Sequence, residues 1–192
     1  SLDAFEYARK YTGFVDRRHM ICHTQLVHPD DIDRFGRLNV ISSFQALWAY
    51  PDKYIKDLTL PRLGKPRSNW IYPINSIVKA GGRIAGGSDW TVSSLNPLDA
   101  MEVAVTRKEP GNKNGEALIP EEAVTLETIL NAYTLGGAYS LYIENKVGSI
   151  EVGKLADIVV LDRNLFKIPD YEIHQAKVDF TIFNGKIIHE RN

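Results

Sequence analysis

The sequence predicts an α/β protein in which parallel strands alternate with helices, followed by an antiparallel β tail. Three observations predict it. Short apolar strand candidates recur between stretches with helical periodicity. The segment Gly81-Gly82-Arg83-Ile84-Ala85-Gly86-Gly87-Ser88-Asp89 sets one such strand between glycine pairs and ends it on a carboxylate. Beyond Gly148 the character changes, and Asn184-Gly185 joins two β-rich runs, the strongest short-range hairpin signal.

Taken in order, Ser1 to Tyr11 reads as a helix capped by Ser1, with Leu2, Phe5 and Ala8 or Arg9 on one face. Residues 18–23 form a strand candidate. Pro29 with Asp30 and Asp31 opens a second helix, whose apolar residues are Ile32, Phe35 and Leu38 and which Asn39 closes. Val40 to Phe44 is the next strand. Residues 45–69 hold three prolines and no clean period, which predicts a long loop with a helical turn or two.

Pro73 to Ala80 reads as a helix stopped at Gly81-Gly82, and the strand Arg83 to Gly87 follows. Asn96-Pro97 is a cap and first-turn proline for a helix with Leu98, Met101 and Val105 facing inward. Residues 108–115 form a surface loop. Thr125 caps a helix carrying Leu126, Ile129, Leu130 and Tyr133, and a short helix follows near Ala138 to Tyr142. Ile158 to Leu161 reads as a buried strand, and Val178 to Phe183 with Lys186 to His189 as the hairpin, separate from the α/β part.

A chain of 192 residues with 44% hydrophobic content and a formal charge of -1 is an ordinary globular composition. Its 23 basic and 24 acidic residues are interspersed, so there is no basic stripe for nucleic acid. No apolar run approaches the roughly 20 residues that span a bilayer. The single cysteine, Cys22, excludes an internal disulfide framework and fits a reducing, cytoplasmic setting. On a strand Cys22 points away from the face His23 uses, which predicts packing against helices.

Three strand ends bear on function: His23, Gln45 after Phe44, and Asp89. In a parallel sheet all three lie at one edge, where α/β folds keep their chemistry. Asp89 could equally cap a turn, and a lone strand-end histidine is commonly structural. Together, however, imidazole nitrogen and carboxylate oxygen are the donors that hold a divalent metal or activate its water. Trp90 and Gln45 are substrate-contact candidates by position. His19 and His28 read as surface or capping residues, and His174 and His189 as tail residues away from the strand ends.

The strings Ile21-Cys22-His23-Thr24-Gln25-Leu26-Val27-His28-Pro29-Asp30-Asp31, Gly87-Ser88-Asp89-Trp90 and residues 147–162 resemble the C-terminal half of the amidohydrolase superfamily. Within it the chain is most similar to amidohydrolase family 3, the group that includes N-substituted formamide deformylases. The resemblance implies a metal-dependent hydrolase of amide or formamide-like carbon–nitrogen bonds, built on a TIM barrel with a small flanking β-sandwich. Residues 1–145 would supply barrel strands six to eight, and residues 146–192 part of the sandwich.

By the same resemblance His23 binds metal or polarises the substrate carbonyl. Asp89 binds metal and takes a proton from the attacking water. The family's His-x-His pair, bridging residue and fifth-strand histidine have no counterpart in the 192 residues. The expectation is therefore a C-terminal piece of an enzyme that uses divalent metal, zinc foremost, on a small-molecule amide. Alone, the piece would bind metal poorly and be inactive, because zinc sites need at least three protein ligands. The competing expectation is a non-catalytic chain that self-associates through the open barrel edge, with neither nucleic acid nor membrane as partner.

Overall fold

A computed structural model describes all residues, 1–192. Helix α1 (Leu2–Thr12) leads to β1 (Met20–Cys22), then α2 (Ile32–Leu38) and β2 (Ile41–Phe44). The long connection expected after β2 holds several helical turns, including α3 (Leu60–Leu63), before α4 (Ile74–Lys79) and β3 (Ile84–Gly86). Next come α5 (Pro97–Thr106), α6 (Leu126–Asn131) and α7 (Gly137–Ser140), the last two joined by a π-helical turn at 132–136. The tail contains β4 (Ile158–Leu161), β5 (Val178–Phe183) and β6 (Lys186–Glu190). No helix is long and apolar enough to cross a membrane.

The local signals act as their chemistry requires. Asn39 ends α2 in the left-handed conformation at φ 50°. The side chains of Asn96 and Thr125 accept N–H bonds from Leu98 and Thr128, satisfying first-turn donors of α5 and α6. Asn184 and Gly185 both have positive φ, the type I′ requirement of a two-residue hairpin.

Strands β1, β2 and β3 form a parallel sheet in that order, with Cys22, Ser43 and Ala85 in register. The alternate positions Ile21 and Phe44 turn toward the helices, and Phe44 lies with Phe35, Ile74, Ile77, Val103 and Ile129 in the main core. Packing is close enough at Gly136 that an added Cβ would come 2.6 Å from the carbonyl of Ile84. The second sheet is antiparallel, in the order β4-β5-β6. Leu165, Ile173 and Ala176, between β4 and β5, return to the main core beside α5.

Four expectations are corrected. Cys22 is exposed: helices cover the Ile21 side of β1, while the side carrying Met20 and Cys22 is open. In β4, Val159 and Val160 are 55% and 38% exposed; as neighbours on a strand they point to opposite faces, so the three-stranded sheet is incompletely covered on both. Helix α5 buries Glu102 more completely than Val105. The reason is His174, which belongs not to the β tail but to a 3-10 turn at 170–175 packed on α5. Glu102 accepts N–H bonds there from the His174 main chain at 2.9 Å and ring Nδ1 at 2.6 Å, and from Gly111 at 2.5 Å.

Candidate active site

The parallel sheet brings its strand ends together. His23 leaves β1 at φ 54° and Asp89 follows β3 at φ 52°, both left-handed. That conformation is uncommon outside glycine, and it persists where surrounding structure enforces it. It turns two side chains from non-adjacent strands toward each other across the end of β2. His23 Nε2 stands 3.8 Å from Asp89 Oδ2. Both side chains remain open to solvent, at 51% and 39% exposed, so a reactant can reach them.

Neighbours fix this arrangement. The His23 ring stacks on Trp48 with centroids 5.7 Å apart and planes 7° apart. Val92 N–H donates to the Asp89 carbonyl at 2.8 Å, and the Ser93 hydroxyl to that of Ser88 at 2.7 Å, folding residues 88–93 into a tight turn. Beneath it Tyr133 lies over Gly86, where an added Cβ would meet the ring at 2.5 Å. The Tyr133 hydroxyl donates to the Gly87 carbonyl at 3.3 Å. Burial pushes its pKa up to about 12, so it remains a donor at neutral pH.

Gln45 lies at the end of β2, only 6% exposed, with Oε1 buried and unpartnered. Its amide nitrogen is beside Gly87, 3.4 Å from where a Cβ would sit. Trp90, within that turn, is 65% exposed rather than packed in the core. His28 is the cap its position suggests, its Nδ1 accepting from Asp30 N–H at 3.2 Å. His19 stacks on Phe5 away from the pair, and His189 lies on exposed β6. Sequence reasoning did not find Trp48 or Tyr133 as site residues. The Gly86-Gly87 pair was a usable signal for Tyr133, since two strand glycines imply something close overhead.

The donor chemistry suits a divalent metal, one neutral ring nitrogen and one carboxylate oxygen at close range. The donor count is short. No group of three or more His, Cys, Asp or Glu side chains gathers anywhere in the 192 residues. Two donors fall short of the three protein ligands a zinc site generally needs.

A family model described as the amidohydrolase family matches residues 1–189. The chain belongs to that family. Among curated relatives it is 34% identical over 166 residues to Protein LONG AFTER FAR-RED 3 of Arabidopsis thaliana, covering 85% of this chain and 27% of the relative. It is 33% identical over 121 residues to N-substituted formamide deformylase of Arthrobacter pascens, covering 63% and 22%. It is 32% identical over 152 residues to 5-methylthioadenosine/S-adenosylhomocysteine deaminase of Thermoanaerobacter pseudethanolicus, covering 71% and 34%. Among solved structures, an uncharacterized metal-dependent hydrolase from Pyrococcus furiosus matches with a TM-score of 0.66 and 26% identity, over 86% of this chain and 31% of that one. The chain thus spans between about a fifth and a third of the length of these proteins.

Proposed function

We propose that this chain is the C-terminal part of a metal-dependent hydrolase of non-peptide carbon–nitrogen bonds in a small amide or formamide-like substrate. The observation that carries the reading is the approach of His23 Nε2 to Asp89 Oδ2 across the end of β2. Residues 1–145 supply barrel strands six to eight, and residues 146–192 part of the flanking β-domain. His23 and Asp89 are two ligands of a divalent metal, zinc foremost, in the complete protein. When bound, that ion polarises the substrate carbonyl and makes water nucleophilic at neutral pH.

The chain's own residues do the rest. Asp89 Oδ2 accepts the proton of the attacking water and returns it to the leaving nitrogen. Trp48 holds the His23 ring flat, fixing the direction in which Nε2 is offered to the metal. Gln45, buried at the end of β2 beside Gly87, closes the floor of the site. Trp90 forms an outer wall. For the complete protein, Asp89→Asn should retain the far-UV circular dichroism spectrum and lose at least about a hundredfold in kcat on an N-substituted formamide, the low end for a general base. Near-normal turnover overturns the role of Asp89, and absence of bound metal in the complete protein overturns the hydrolase reading.

The open side of β1 favours a second reading. Met20 is 41% exposed and Cys22 is exposed, on a strand paired along one edge only. An unpaired edge of this kind templates association with another copy. In this reading the chain does no chemistry and self-associates.

A further inference from the structure

We propose that Arg107, a buried residue outside the site, is a positioning residue that sets the geometry of His23 through a relay of main-chain hydrogen bonds. The proposal rests on the reading of His23 as a site residue. Arg107 is 0% exposed and ends α5 in the left-handed conformation. Its Nε donates to the Leu118 carbonyl at 2.8 Å and its Nη1 to the Tyr72 carbonyl at 3.4 Å. Leu118 N–H donates back to the Arg107 carbonyl at 2.9 Å.

From Tyr72 the bonds lead directly to the site. Tyr72 N–H donates to the Gln25 carbonyl at 2.7 Å, and Gln25 N–H to the His23 carbonyl at 2.6 Å. The same two segments meet again where Leu26 bridges Ile71 and Val27 N–H donates to the Trp70 carbonyl at 3.3 Å. Residues 70–72 thus act as a short antiparallel mate for residues 25–27, and Arg107 is the side chain that reaches that mate from the core.

Two further observations separate this from ordinary packing. Nine non-glycine residues have positive φ, and four of them, His23, Tyr72, Arg107 and Ile119, lie on the relay or beside Leu118. Strained backbone gathered along one path marks a geometry the surroundings over-determine. Second, the Arg107 guanidinium makes no ion pair and leaves Nη2 unpartnered. Burial pulls its pKa down to about 10, which still leaves it charged at neutral pH. An apolar side chain would fill the same volume without desolvating a charge, but could not hold two carbonyls from separate loops.

The test uses the full chain, treated with chelator, and reads the His23 ring by NMR together with amide hydrogen exchange. Arg107→Ala should shift the His23 Cε1–H resonance and lower protection of the Tyr72 and Gln25 amides by about tenfold or more. Low-millimolar guanidinium should restore both, and equal urea neither. The core control Ile129→Ala should lower stability without moving His23. An unmoved His23 in folded Arg107→Ala, or an equal shift in the control, overturns the proposal. If Arg107→Ala does not fold, Arg107→Lys keeps the charge with a single nitrogen, and His23 should shift with the Gln25 amide deprotected. Unchanged values there overturn the proposal as well. The readout is ring geometry rather than turnover, so failure of the hydrolase reading is scored separately.

Discussion

Glu102 is the residue whose sequence position misleads most, and its surroundings explain why it is tolerated. A carboxylate 1% exposed on a core-facing helix is costly unless its lone pairs are met, and three N–H donors meet them. Removing the carboxylate strands those donors in a buried place. Glu102→Ala should cost about 3 kcal/mol, read as a lowered urea midpoint, and loosen residues 170–175 in hydrogen exchange. Asp162 gives a pH signature of opposite origin. The Arg163 guanidinium, then the Lys177 main-chain N–H, pull its pKa down to about 2 from 3.8. A carboxyl depressed on folding stabilises above its unfolded value and loses that contribution as pH falls through the folded one. Thermal stability should therefore drop between about pH 4 and pH 2, and Asp162→Asn should flatten that part of the profile.

At the scale of elements, the helices and the hairpin were legible because each carries its own stop and start chemistry. Asn39, Asn96 and Thr125 act within a few residues of the chain. The irregular links were not legible. Residues 45–69 fold into several helical turns, each too short to show an amphipathic period although Ala46, Ala49 and Ile55 are buried in the main core. The fit of α6 and α7 on β3 depends on Gly136, where a methyl group would press on the backbone oxygen of Ile84. Backbone cannot swing aside as a side chain does. Gly136→Ala should lower stability by about 1–3 kcal/mol despite its better helix propensity, a sign that thermal melting checks directly.

At the scale of the whole molecule, the two sheets meet different needs. The parallel sheet is covered on both faces at β2, where Ile41 is 1% exposed, while the Met20 side of the edge strand β1 faces solvent. If that side associates with another copy, Met20→Lys should abolish concentration-dependent self-association in sedimentation and leave the melting temperature nearly unchanged. Of the candidate site, His23 and Asp89 were legible because strand ends in a parallel sheet share one edge. Trp48 and Tyr133 were not, since each reaches the site from a segment whose local pattern signals only packing.

By itself, the sequence determined the α/β alternation, the helix caps, the hairpin and the amidohydrolase family, because these depend on residues close together or on strings matched in order. Only the tertiary structure decided that Asp89 lies within 3.8 Å of His23, that Cys22 is open, and that Glu102 meets His174 across 72 positions of chain. Those outcomes depend on which surface covers which. Packing between distant segments settles that, and it leaves no local mark on the residues it brings together.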